Sequence, residues 1–145
     1  MNTVQSLFDI SEDEFFNLLE DAKWKHYGRL PIIDVNGEEW AIALTEEEAT
    51  RAAEEYMEET AWAFGADYLQ DITGIPEEMF RAVQDKCERA NDAILACIEA
   101  TCGIETFRDH AIADNGRGLL SGYNGVEEEF QLEGREDISY AYRIN

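Results

Sequence analysis

The sequence predicts an α+β fold in which two β-hairpins form one antiparallel sheet packed with three to five helices. Three observations carry this. Asn36-Gly37 separates two apolar runs, and both residues tolerate the positive φ that a two-residue hairpin turn demands. Ile138, Tyr140, Tyr142 and Ile144 alternate near the other end, as a strand does. Between these regions apolar residues recur at helical spacing without a β-α-β alternation. The 145 residues, 45% hydrophobic and 11% aromatic, suit a single domain over 1–145 with enough apolar mass for a core. No Gly/Ser/Pro-rich linker, internal repeat or low-complexity segment divides them.

The first helix is announced by Ser11 with Glu14 three residues on, a capping box, while Ile10 and Phe15 stand at staple positions. Phe15, Leu18, Leu19 and Ala22 follow at helical spacing, which predicts an end near Tyr27-Gly28. Residues 30–35 and 38–44 are the first hairpin. Thr45 with Glu48 opens a second helix, expected to run to about Phe64 before Gly65. A short turn or helix covers 66–72. Pro76 suits a helix start and Gly103 a helix stop, which predicts a long central helix over 76–102. Met79, Phe80, Val83, Cys87, Ala90, Ile94, Cys97 and Ile98 share one arc of it. A shorter helix spans about 105–112. Val126, Phe130 and Leu132 mark the strand that pairs with Ile138–Ile144 through a connection at 134–137.

Charge narrows the function classes. Thirty-three acids against 11 bases leave a formal net charge of −22. Bare nucleic acid and anionic membrane are poor partners for such a chain, because affinity for both comes from Lys and Arg. A basic protein surface is the natural complement; solubility or salt adaptation is the alternative. Three cysteines, an odd number without metal-ligand spacing, are expected to act as small apolar side chains in a reducing cytoplasm. No leader-like start and no apolar run near the ~18 residues of a membrane span are present. No metal and no cofactor are expected, since no H-E-x-x-H, EF-hand or nucleotide loop occurs.

The acids are concentrated. From Asp34 to Asp71 there are twelve, with Arg51 the single base. On a 100° wheel Ala49, Ala52, Ala53, Tyr56, Met57, Thr60, Ala63 and Phe64 share one arc of the second helix. Glu47, Glu48, Glu54, Glu55, Glu58 and Glu59 fill the other, without the Lys at i+4 that would stabilise a solvated face. Twenty helical residues span roughly 30 Å. Seven carboxylates over that length approach the ~3.4 Å phosphate spacing of one DNA strand. Glu47, Glu54, Glu55, Glu58, Trp62, Asp67 and Asp71 are therefore the candidate partner-binding residues. Trp62 either projects among the carboxylates as a contact residue or, if the helix ends near Thr60, turns inward.

Catalysis has little support. His26 and His110 fall on different predicted helices, and His110 beside Asp109, with Cys102 eight residues earlier, matches no nucleophile motif. Arg117 in Gly116-Arg117-Gly118 either holds an anion or neutralises neighbouring acids. A non-enzyme is expected.

The stretches Gly116-Arg117-Gly118, Ser121-Gly122-Tyr123-Asn124-Gly125 and Tyr140-Ala141-Tyr142-Arg143-Ile144 resemble the ends of small acidic phage and mobile-element proteins. Such proteins include anti-CRISPR and anti-restriction inhibitors, whose acidic surfaces occupy nucleic-acid grooves. The resemblance implies an inhibitor that acts as a nucleic-acid mimic in a host cytoplasm. Its partner would be the basic surface of a nucleic-acid-handling protein such as a CRISPR effector or restriction enzyme. The alternative is a non-catalytic adaptor or structural protein that acts through homodimer or partner contacts.

Overall fold

Asn36 and Gly37 take φ of 53° and 89°, so the two-residue turn forms as its sequence requires. Asp34 Oδ1 accepts the Gly37 N–H at 3.0 Å and fixes it. The structure, a computed structural model, describes residues 1–24 and 30–145, with Lys23 and Trp24 as backbone only. In chain order it forms α1 (Val4–Phe8), α2 (Glu12–Glu20), β1 (Lys23–Trp24), β2 (Pro31–Val35), β3 (Glu38–Ala43) and α3 (Glu46–Glu59). Then come α4 (Ala66–Thr73), α5 (Glu77–Gln84), α6 (Asn91–Thr101), α7 (Ile104–Asn115), β4 (Glu128–Gln131) and β5 (Ile138–Arg143). Short 3-10 turns occupy Ala61–Ala63, Cys87–Ala90 and Gly118–Leu120.

The fold class is α+β, and both hairpins share one antiparallel sheet of order β1-β2-β3-β5-β4. They meet where β3 pairs with β5, from Trp40↔Arg143 to Ala43↔Tyr140. The chain divides into two compact units, Met1–Ala53 with Asn115–Asn145, and Glu54–Asp114.

In the first unit, Ile33, Val35, Trp40, Ile42, Phe130, Leu132 and Ala141 cluster with Val4, Phe8 and Phe15 of α1 and α2. Phe8 is the centre: its ring lies 5.6 Å from Phe15, 5.2 Å from Trp40 and 5.5 Å from Phe130. Each such aromatic pair adds about 0.5–1.5 kcal/mol beyond area burial. Five-residue α1 is too short for a periodicity to reveal it. It is held by a reciprocal capping box between Thr3 and Ser6. Helix α2 starts at the predicted Ser11 cap but stops at Glu20, because residues 23–24 pair with β2. The expected end at Tyr27-Gly28, and His26, lie outside the described residues. On β5 the alternating Tyr140 and Tyr142 are buried, yet Ala141 between them is also fully buried in the Phe8 cluster. Both faces of that strand are covered.

In the second unit Met57, Leu69, Phe80, Ile94, Ile98 and Phe107 are fully buried or nearly so. The long helix expected over 76–102 is broken: α5 ends at Gln84, Cys87 takes a left-handed φ of 54°, and α6 begins at Asn91. No Gly or Pro lies at the break. Its cause is tertiary. Gln84 Nε2 donates to the Trp62 and Phe64 carbonyls (3.1 and 2.7 Å), and Asn91 Nδ2 donates to the Glu58 carbonyl (2.8 Å). These bonds satisfy the backbone groups left open where α3 stops, five residues before the expected end at Phe64. The break exposes Met79 and Cys87, both placed on the apolar arc by the wheel, while Phe80, Ala90, Ile94 and Ile98 stay buried. Cys87 is therefore a surface thiol rather than a core filler, and Cys97 and Cys102 are half-buried. Among the described residues no helix is long and apolar enough to cross a membrane.

Candidate functional site

Helix α3 is built from its cap outward. Thr45 Oγ1 accepts the Glu48 N–H at 3.2 Å, and Glu48 Oε2 returns to the N–H groups of Leu44 and Thr45 at 2.9 and 3.3 Å. Ala49, Ala52, Ala53 and Met57 are fully buried, which turns the glutamates outward. Glu46, Glu47, Glu48 and Glu59 are exposed; Glu54, Glu55 and Glu58 are half-buried. Fourteen residues cover about 21 Å, so the seven carboxylates average roughly one per 3 Å.

Self-neutralisation removes only part of this charge. Glu47 pairs with Arg51 at 3.6 Å and Glu46 with Arg117 at 3.6 Å. Arg108 Nε donates to Glu58 at 2.7 Å, and its Nη2 meets the same carboxylate. Glu54, Glu55 and Glu59 have no ion-pair or hydrogen-bond partner among the described residues. They lie in the last turns of α3, which carry no base. Glu59, in the last turn, opposes the helix macrodipole at a cost of about 0.3–1 kcal/mol. Helix stability does not account for them.

The remaining candidates fall as follows. Glu47 belongs to the first unit, and Glu54, Glu55, Glu58, Trp62, Asp67 and Asp71 to the second. Trp62 is half-buried, since α3 ends before it and Thr60 Oγ1 bonds back to the Tyr56 carbonyl at 2.7 Å. The Trp62 N–H donates to Asn91 Oδ1 at 3.0 Å and its carbonyl accepts from Gln84, so the backbone is fixed on both sides. Asp67 and Asp71 are exposed one turn apart on α4, hence on one face. Tyr68 between them donates to Asp114 at 3.1 Å, and burial, then that carboxylate, pushes its hydroxyl up to about 12.

Neutralisation of acids was one of the two roles open to Arg117, but its partners were not legible; among the described residues they form a well-connected ionic cluster in the first unit. Arg117 forks onto Glu127 through Nε (2.8 Å) and Nη2 (3.0 Å), reaches Thr50 Oγ1 at 3.1 Å, and stacks 4.6 Å from the Tyr140 ring centre. Tyr142 donates to the same Glu127 at 2.5 Å. Burial, then Glu127, raises the Tyr142 hydroxyl well above its ordinary value. Burial would lower the Arg117 pKa, but the bonds and charge of Glu127 outweigh it. Of the two roles open to Arg117, it neutralises its own acids. Nothing local in the sequence pointed to Glu127 as its partner, ten residues on. His110 and Asp109 are both exposed. Among the described residues no three His, Cys, Asp or Glu side chains converge as metal ligands.

Compared with known proteins, the chain matches no family model, no curated protein and no solved structure.

Proposed function

We propose that this chain is a non-catalytic acidic inhibitor that occupies the Lys/Arg-lined nucleic-acid surface of a defence protein, in the manner of anti-CRISPR or anti-restriction inhibitors. One observation carries the reading. Glu54, Glu55 and Glu59 have no neutralising partner among the described residues, and Glu59, in the last turn of α3, also opposes the helix dipole. Asp67 and Asp71 add an acidic face on the next helix, and the half-buried Trp62 lies in the chain between the two helices. Desolvated pairing with Lys and Arg would recover what the isolated fold forgoes.

The test is charge reversal at Glu54 and Glu55, leaving Glu58 to its ion pair with Arg108. Glu54→Lys/Glu55→Lys should keep the circular dichroism of the wild type and bind the basic partner roughly tenfold or more weakly. Undiminished binding by a folded variant would move the contact away from α3. A salt-independent dimer with no affinity for basic partners would favour the adaptor alternative.

A further inference from the structure

Tyr123 is 55% exposed although one face of its ring is already covered by Arg143, whose guanidinium lies 3.8 Å from the ring centre. Exposed aromatics are normally mobile, but this one stands on a loop fixed from several sides. The Tyr123 N–H donates to the Arg143 carbonyl at 3.2 Å, and the Gly125 N–H to the Ser121 carbonyl at 3.2 Å. The buried Ser121 hydroxyl lies 2.7 Å from the Arg143 carbonyl and 2.9 Å from Asn124 Oδ1, which also accepts the Val126 N–H at 3.1 Å. A Cβ on Gly118 would stand 2.2 Å from the Gly125 carbonyl oxygen, so only glycine lets the two segments approach. Val126, three residues on, is 44% exposed. A rigid Tyr with an apolar neighbour loses little entropy on contact, which is how binding hot spots are made.

Charge selects the occupant. Arg143 is neutralised by Glu38 at 3.4 Å, so its cation does not repel a second one from the free face of the ring. The unit that carries Tyr123 holds eighteen acids against seven bases. We infer that Tyr123, backed by Arg143 and flanked by Val126, is a second contact site, which takes an arginine guanidinium of the basic partner protein on its open ring face. The inference rests on the proposed binding to a basic surface, and it adds an aromatic anchor on a different unit from Glu54 and Glu55. Arginine is preferred to lysine because its planar group stacks as well as carrying charge.

Titration with a nona-arginine peptide, and separately nona-lysine, at about 150 mM salt tests this with backbone amide NMR shifts as the readout. Nona-arginine should shift Tyr123, Asn124 and Val126. Tyr123→Ala should weaken its binding roughly fivefold to tenfold, while Tyr123→Phe, which keeps the ring, should not. The loop shifts should persist in Glu54→Lys/Glu55→Lys; if that variant binds as tightly as wild type, this site stands and the α3 reading fails. Shifts confined to the acids of α3 and α4, with Tyr123→Ala binding normally, would overturn this inference and leave the α3 reading intact. Equal affinity for both peptides, or no binding at all, would also overturn it.

Discussion

At the scale of single residues, the side chains that matter most to the fold are those that answer a charge. Arg117 and Glu127 are 14% and 21% exposed, and their forked pair is the best-connected ionic contact in the first unit. Replacing Arg117 with Met leaves Glu127 part-buried with, among the described residues, the Tyr142 hydroxyl as its remaining donor. Urea unfolding should show a loss of about 2–3 kcal/mol for Arg117→Met, at an unchanged slope. Tyr68 and Tyr142 give the pH dependence. Both hold their protons more tightly folded than at the ordinary value of 10.0. The unfolded chain then loses these protons first, so the stabilisation is full below pH 10 and fades as pH rises, for Tyr68 through about 12. Stability measured from pH 9 upward should fall less steeply in Tyr142→Phe than in the wild type.

At the scale of elements, the turns and caps were legible in the sequence because their chemistry is local. Asn36-Gly37, Thr45 with Glu48, and Gly103 with its φ of 90° do in the structure what their residue types demand. The ends of α3 and α5 were not legible. The carbonyls of Glu58, Trp62 and Phe64 at and after the end of α3 are satisfied by Asn91 and Gln84, side chains from 20 to 33 residues away that lie where α5 ends and α6 begins, and no local pattern encodes such a bond. The inner face of α3 was therefore read correctly as far as Met57, and Ala63 beyond the break is exposed. The same break explains how candidate Trp62 comes to be half-buried, whereas α1 shows no period because it has only five residues. One substitution separates a broken helix from a continuous one. At a left-handed position Cys87→Gly removes a backbone cost and should raise stability by up to about 1 kcal/mol. In the interior of an unbroken helix the same change would lower it by about 1 kcal/mol. Denaturant midpoints of the two proteins decide the sign.

At the scale of the whole molecule, charge is the dominant fact. Each compact unit carries acids in large excess, fifteen against four bases in Glu54–Asp114. Self-repulsion of that size weakens a fold and keeps like molecules apart, while it speeds encounter with a basic surface. The candidate acids were visible in the sequence as residue types and as a helical face. Which of them are already spent on the protein's own arginines was not, because Arg108 lies fifty residues from Glu58. The most direct measurement is competition: wild-type chain is immobilised, a basic nucleic-acid-handling protein is retained on it at about 50 mM salt, and duplex DNA or RNA is then added. The duplex is expected to elute the retained protein, and raised salt to do the same. A stable ternary complex of chain, partner and duplex would contradict the proposed function.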